Sequence, residues 1–113
     1  MTTVATGQLA EAAAANYLRA NGYTILDQNW RTRWCEIDIV AKHHGAIYVC
    51  EVKYRASTKQ GSGIEYITPA KLRQMTKAAD SWVMLNNWTG EYQLAALEVF
   101  GPDFTITALI TEF

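Results

Sequence analysis

The sequence predicts an α/β fold in which helices pack on a mixed β-sheet of about five strands. The pattern of hydrophobic residues gives the order helix, three strands, helix, two strands. Short connections favour antiparallel pairing of consecutive strands, whereas the strand after the second helix can return parallel by a right-handed crossover. A chain of 113 residues has room for one hydrophobic core, so one domain is expected over residues 1–113.

The first helix is predicted over residues 4–20, because this segment is rich in alanine and Asn21-Gly22 supplies a left-handed stop. Glu11 shares one helical stripe with Ala14, Ala15 and Leu18. A carboxylate on an inward-facing stripe must reach solvent or meet a partner such as a cation or a metal ion.

Three strands are predicted next, over residues 23–30, 34–41 and 46–54, and the last two form a hairpin. If His44-Gly45 is a two-residue turn, residues whose numbers sum to 89 face each other. Asp38 would then lie opposite Glu51, and Glu36 opposite Lys53. Strand alternation would place four apolar residues on the other face of the sheet: Ile37, Ile39, Cys50 and Val52.

The second half of the chain begins with a predicted mobile loop over residues 57–63. A second helix starts with Thr68 as N-cap and Pro69 at its first position, and ends near Asn86-Asn87. Its expected apolar stripe consists of Leu72, Met75, Ala79, Trp82 and Val83. Two closing strands are predicted over residues 91–100 and 104–110.

Composition narrows the class of protein. No apolar run is long enough to span a bilayer and the N-terminus lacks the pattern of a signal peptide, so a cytoplasmic protein is expected.

Cys35 and Cys50 match neither a disulfide framework nor a zinc pattern, and two buried free thiols are expected. His43 and His44 are predicted to be exposed at the hairpin tip. Of the four tryptophans, which could stack on bases, most are interpreted as packing residues.

Charge is unevenly distributed, although the net charge is only −1. Nine of the ten basic residues and four of the eleven acids lie between Arg31 and Lys77, so this segment is strongly positive. A basic segment that contains a few clustered carboxylates suits a phosphodiester site, where phosphate is attracted and a metal ion is held. An ordinary solvated surface is the alternative on charge alone.

Asp38, Glu51 and Lys53 are the residues whose chemistry fits such a site. Mg²⁺ takes oxygen ligands, usually one or two carboxylates. A nearby lysine can orient an attacking water or neutralise a phosphate. The alternative is a cross-strand ion pair between Glu36 and Lys53, which would contribute roughly 0.2–1 kcal/mol. The clustering of the acids, together with the inward Glu11, favours the metal site.

The same residues resemble a known motif. Asp38 followed by Glu51-Val52-Lys53 is similar to the D-x(n)-E-x-K signature of the PD-(D/E)XK nuclease superfamily. The surrounding sequence resembles the YraN family of small bacterial proteins over most of the chain. The segments that carry this resemblance are Glu11, Tyr17-Leu18, Gly22-Tyr23-Thr24-Ile25-Leu26, Asn29-Trp30-Arg31, Glu36-Ile37-Asp38-Ile39-Val40, Glu51-Val52-Lys53-Tyr54-Arg55 and Thr68-Pro69 with Lys71.

This resemblance implies a restriction-endonuclease-like fold, similar to that of archaeal Holliday-junction resolvases, and an endonuclease that uses Mg²⁺ or Mn²⁺. It implies that Asp38 and Glu51 ligate the metal, that Glu11 adds a carboxylate and that Lys53 assists the water. Glu36 would be an auxiliary acid. The resemblance also suggests a substrate contact from Glu65. The other expected substrate contacts are cations of the basic segment: Arg31, Arg33, Arg55, Lys59 and Lys71.

The sequence also departs from the family pattern. Ala10 stands where a Gly is usual, Tyr54 where a Thr is usual, and Gln93-Leu94-Ala95 replaces an expected Arg-Phe-Asp.

The main hypothesis from the residues and the resemblance is a metal-dependent endonuclease acting on DNA, with branched structures as candidate substrates and a homodimer as the expected assembly. The alternatives are a nucleic-acid-binding or assembly module of the same fold without turnover, and a structural interaction protein.

Overall fold

The computed structural model describes residues 3–57 and 67–113. Within these residues, two helices and five strands follow the predicted order. Their bounds are α1 Thr3–Ala20, β1 Thr24–Arg31, β2 Glu36–His43, β3 Ala46–Arg55, α2 Pro69–Leu85, β4 Tyr92–Phe100 and β5 Thr105–Ile110. The α/β class is confirmed, and the arrangement is consistent with a restriction-endonuclease-like fold.

The five strands form one mixed sheet in the spatial order β1-β2-β3-β4-β5. Strands joined by short loops pair antiparallel, as expected. In the part of the chain that the structure describes, the one parallel pair is β3 with β4, and α2 separates these two strands in the sequence. A parallel neighbour needs a long crossover connection, and α2 lies within it. The sheet is therefore continuous from β1 to β5, with β3 at its centre.

Helix α1 covers one face of the sheet. Ala14, Ala15 and Leu18 from its predicted inward stripe are buried against Ile39 and Cys50 of the central strands. Small alanine side chains let the helix approach the sheet closely. The helix ends as predicted at Asn21-Gly22, where Gly22 has a φ of 88° and its N–H donates to the Arg19 carbonyl.

Helix α2 covers the opposite face. The Thr68 side chain accepts a hydrogen bond from the Lys71 N–H, and Pro69 occupies the first turn, so the predicted start is confirmed. Trp82 is buried, and its indole Nε1–H donates to Asp27 on β1 over 2.8 Å. This bond satisfies the indole and fixes the helix against the edge of the sheet.

The hairpin between β2 and β3 has the predicted register. His43 lies opposite Ala46, and Ile39 lies opposite Cys50. His44 and Gly45 both have positive φ, at 49° and 80°, which is the backbone of a tight type I′ hairpin turn. Because this turn sets the register, it also decides which residues of β2 and β3 come close at the far end of the hairpin.

Strict alternation of the two faces fails at Asp38, and this part of the prediction was wrong. Ile37 packs in the cluster beneath α2, whereas Ile39 packs in the cluster beneath α1. Across the β1–β2 ladder, Asn29 lies in the position opposite Asp38, and Asn29 has a φ of 50°. Asparagine tolerates this left-handed conformation better than most residues. The β1–β2 ribbon is thus distorted at the level of Asp38.

Three smaller expectations also need correction. Trp34 precedes β2 instead of starting it, and its side chain is 85% exposed. Cys35 lies in the same turn and is only half-buried, although Cys50 is buried as expected. His43 is half-buried because its ring stacks on Tyr23 at a centroid distance of 4.1 Å.

Some predictions fall on residues 58–66, outside the described residues. They are most of the predicted loop and two of the predicted substrate contacts, Lys59 and Glu65. Among the residues that are described, neither helix is both long and apolar enough to cross a membrane.

Truncation of Leu18 tests whether the α1 stripe forms the core. The Leu18 side chain is fully buried, so Leu18→Ala should lower the free energy of unfolding by about 2–5 kcal/mol. The matched control is Leu85→Ala at the end of α2, where the side chain is 59% exposed and a change within about 0.5 kcal/mol is expected. Equal effects of the two substitutions in urea denaturation would contradict this description of the core.

Candidate active site

Asp38 lies where the hairpin pairing ends. The main-chain pairing of β2 and β3 runs as far as Ile39 opposite Cys50, one position short of Asp38 and Glu51. Beyond that point the Asp38 carboxylate itself accepts a hydrogen bond from the Val52 N–H, over 2.8 Å. The side chain therefore substitutes for strand pairing, and it is held beside the third strand.

The environment of Asp38 strongly disfavours its charge. Burial, followed by repulsion from the Glu51 carboxylate, raises the pKa of Asp38 to about 7. The hydrogen bond from Val52 acts in the opposite direction, while Glu11 and Glu36 add smaller repulsions. Three acids that were predicted to cluster around Asp38 are thus close enough to influence its charge.

Glu51 is paired with two lysines. Its carboxylate lies 3.0 Å from the Lys71 ammonium on α2 and 3.8 Å from the Lys53 ammonium on its own strand. The Glu51 side chain is 16% exposed, so these ion pairs are only partly screened by solvent. Lys53 therefore lies next to the acidic pair, as predicted. Lys71, which was predicted to contact substrate, contacts Glu51 instead in this state.

The expected opposition of Glu36 and Lys53 was wrong. Glu36 forms its ion pair with Arg31 across the β1–β2 ladder, at 3.2 Å, and both side chains are largely exposed. Lys53 is paired with Glu51. The physical reason is that β2 and β3 stop pairing at Cys50, so Glu36 remains in register with β1 instead.

Glu11 approaches the site from α1. Its side chain is half-buried, and it lines a surface cavity of about 320 Å³ together with Asn29 and Arg31 of β1. The cavity reaches the distorted part of β1 that lies opposite Asp38. The sequence prediction that Glu11 turns towards the sheet agrees with this position.

Cys50 is a buried core residue that precedes Glu51 on β3. Burial and, to a smaller degree, the Asp38 charge raise the pKa of the Cys50 thiol to about 12. Its S–H also donates weakly to the Tyr48 carbonyl. The free thiol is therefore protonated at neutral pH and is a poor nucleophile.

The donor set near Asp38 fits a hard divalent cation with few protein ligands. Within residues 3–57 and 67–113, no three His, Cys, Asp or Glu side chains form a group that could hold a metal ion. Asp38 and Glu51 remain as a pair of repelling carboxylates, and Mg²⁺ usually takes one or two carboxylates. A cation between them would relieve the repulsion.

A groove of about 400 Å³ leads away from Glu51. Its lining includes Trp34 and Glu36 from the sheet side and Lys71, Gln74 and Lys77 from α2. Gln74 and Lys77 were not predicted as site residues. Their three-residue spacing from Lys71, which makes each a neighbour of the next on a helix, is the signal that could have identified them.

Two other predicted substrate contacts lie apart from each other, Arg33 in the turn between β1 and β2 and Arg55 at the end of β3. Arg33 stacks over the Trp34 ring, with 5.2 Å between the guanidinium carbon and the ring centroid. Arg55 is half-buried at the end of β3, where its carbonyl accepts a hydrogen bond from Gly101. Arg33 is therefore near the groove, and Arg55 is at the end of the strand that carries Glu51 and Lys53.

The raised pKa of Asp38 predicts a characteristic dependence of stability on pH. When folding raises the pKa of an acid, its protonated form favours the folded state. This contribution to stability is complete at a pH below the unfolded-state pKa, here 3.8, and it is lost as the pH rises through the folded-state pKa of about 7. Asp38→Asn removes the titration but keeps an acceptor for Val52. Relative to this variant, the wild type should lose roughly 1–4 kcal/mol of unfolding free energy between about pH 4 and pH 8. A difference that stays constant over this range would contradict the assignment.

Comparison with known proteins identifies the family of this chain. The family model described as Uncharacterised protein family UPF0102 matches residues 10–101. Similar proteins named UPF0102 protein occur in Kineococcus radiotolerans (42% identical over 79 residues, 70% of this chain and 65% of the relative) and Oleidesulfovibrio alaskensis (43% over 84 residues, 74% and 42%). A third is that of Lachnoclostridium phytofermentans (44% over 80 residues, 71% and 68%). The first two matches thus cover less than two thirds of the relative. The chain belongs to the UPF0102 family, which is also called the YraN family.

Proposed function

We propose that this protein is a metal-dependent endonuclease that hydrolyses phosphodiester bonds of DNA. The observation that carries the proposal is the position of Asp38 beside Glu51, with the Lys53 ammonium 3.8 Å from the Glu51 carboxylate. Burial and repulsion from Glu51 together raise the pKa of Asp38 to about 7. Such an arrangement is costly for stability alone and is typical of sites that bind a cation.

Each residue has a distinct part in the proposed chemistry. Asp38 and Glu51 would hold Mg²⁺ or Mn²⁺, and Glu11 would support them from α1. The bound metal would supply charge stabilisation at the phosphate and a lowered pKa for a coordinated water. Lys53 would orient the attacking water or neutralise the phosphate, because its ammonium lies on the same strand two positions beyond Glu51.

Resemblance in sequence adds to this proposal. The spacing of Asp38, Glu51 and Lys53 is similar to the signature of the PD-(D/E)XK nucleases. The family resemblance to Holliday-junction resolvases points to branched DNA as a candidate substrate. A homodimer and a cytoplasmic location stay predictions of the sequence.

A nucleic-acid-binding or assembly module without turnover is the second candidate. The observation that favours it is the 3.0 Å ion pair between Lys71 and Glu51, to which Lys53 adds a second cation. A carboxylate that is already neutralised by lysines has less affinity for a metal ion. Under this alternative, the cluster connects α2 to β3, and the basic segment binds phosphate without cleavage.

Cleavage assays with active-site variants test the proposed activity. Wild-type protein with Mg²⁺ or Mn²⁺ should cleave at least one member of a panel of branched, single-stranded and duplex DNA. Asp38→Asn and Lys53→Met should each lower the cleavage rate by at least about 100-fold, because they remove a metal ligand and the cation beside the reacting phosphate. EDTA should abolish cleavage by the wild type.

Glu91→Gln is the matched control, since Glu91 is an exposed acid at the opposite end of the central strands, where its carbonyl accepts a hydrogen bond from Ile47. It should cleave at the wild-type rate. The nuclease is rejected and the binding module is supported by two results together. The wild type cleaves no DNA with any metal, and DNA binding persists in Asp38→Asn and in EDTA.

Metal binding can also be tested without turnover. Mn²⁺ at about 100 times its dissociation constant should stabilise the folded wild type by about 2.7 kcal/mol, which raises the melting temperature by several degrees. Asp38→Asn should lose most of this increase, while Glu91→Gln should keep it. Equal increases in wild type and Asp38→Asn would show that Mn²⁺ binds elsewhere and would contradict the proposed ligands.

A further inference from the structure

Trp34 is the most exposed large hydrophobic residue of the described chain. Its side chain is 85% exposed, whereas Trp82 is buried and Trp30 and Trp88 pack against the cluster beneath α2. Tryptophan is highly buried on average in folded proteins, because exposure of the large indole is unfavourable. The exposure of Trp34 therefore calls for a reason other than packing.

The turn that carries Trp34 is internally bonded. The Thr32 hydroxyl accepts hydrogen bonds from the Trp34 N–H at 3.1 Å and from the Cys35 N–H at 3.2 Å. The Thr32 N–H also donates to the Cys35 carbonyl at 2.8 Å. These bonds fix the backbone of the turn, so the indole is presented outward from a defined position. A turn whose backbone is already ordered loses less entropy when a ligand binds to it.

Arg33 occupies one side of the ring. Its guanidinium carbon lies 5.2 Å from the Trp34 ring centroid, within the range of a cation–π contact. An indole has two faces, and the large exposed fraction of Trp34 means that the other face is open to solvent. The pair thus combines an aromatic surface with a positive charge.

The indole also lines the groove that leads to Glu51. Trp34, Glu51 and Lys71 border the same cavity of about 400 Å³, and Lys77 extends its basic rim along α2. A chain that contacts the indole can therefore continue along the groove to the proposed site. The groove is lined by charged side chains of both signs, whereas the cores of protein interfaces are depleted of charge. The charged lining thus argues against a second protein surface, and the Lys71, Lys77 and Arg33 cations near the indole suit a polyanion that carries aromatic bases.

We infer that Trp34, with Arg33, is a stacking platform for an unpaired nucleobase, so that the site takes single-stranded polynucleotide or the unpaired end of a branched one. A base inside a duplex already stacks on its neighbours, whereas an unpaired base offers a free face to an aromatic ring. This inference rests on the proposed function for the role of the groove, and it assigns to that site a preference for unpaired substrate.

Binding measured without metal tests the platform separately from catalysis. Labelled single-stranded oligo-dT and oligo-rU, and a duplex of equal length, are titrated with protein at low salt in EDTA. Trp34→Ala should weaken binding of a single strand by about 5- to 100-fold, and Trp34→Phe should restore most of it, because base stacking needs an aromatic ring. Duplex binding should change less than about 2-fold in Trp34→Ala, because the phosphate contacts remain.

Met84→Ala is the matched control, since Met84 is a 70% exposed apolar residue of α2. It should bind all the oligonucleotides like the wild type. The platform is overturned if Trp34→Ala weakens binding of single strand and duplex equally, or if it weakens neither. It is also overturned if the wild type self-associates and Trp34→Ala abolishes that association. Absence of cleavage together with a Trp34-dependent preference for single strands would reject the nuclease and leave the platform in place.

Discussion

The hydrogen bond from the Val52 N–H to the Asp38 carboxylate is the constraint on which the site depends. It forms where main-chain pairing between β2 and β3 ends, and it fixes the acid against the central strand of the sheet. The hairpin turn at His44-Gly45 sets the register that makes this contact available. An acid with this bond cannot turn away from Glu51, so its repulsion from that carboxylate is built into the fold.

Three features surround this hydrogen bond. The β1–β2 ribbon is distorted at the same level, with Asn29 in a left-handed conformation opposite Asp38. Lys53 and Lys71 balance Glu51. Among the described residues no cation contributes to the pKa shift of Asp38, and that pKa rises to about 7. The negative charge that lacks a neighbouring cation is therefore that of Asp38. The proposed role of a metal ion is to neutralise it.

Much of the fold could be predicted because local signals agree with each other. The stop at Gly22, the cap at Thr68 and the turn at His44-Gly45 each have a specific backbone chemistry, and all three are confirmed. The sequence did not predict that Glu36 pairs with Arg31. That outcome depends on where two strands separate, which period-two alternation does not encode. The exposure of Trp34 was not predicted either. The sequence pattern indicated that Trp34 begins a strand, whereas it lies in a turn closed by the Thr32 hydroxyl.

The structure of crystals soaked with Mn²⁺ at about pH 8, where Asp38 is mostly ionised, tests the central claim most directly. The account predicts a metal ion bound by carboxylate oxygens of both Asp38 and Glu51, and a Glu51 side chain released from Lys71. Absence of metal between the two acids, with the Lys71–Glu51 ion pair intact at millimolar Mn²⁺, would contradict it.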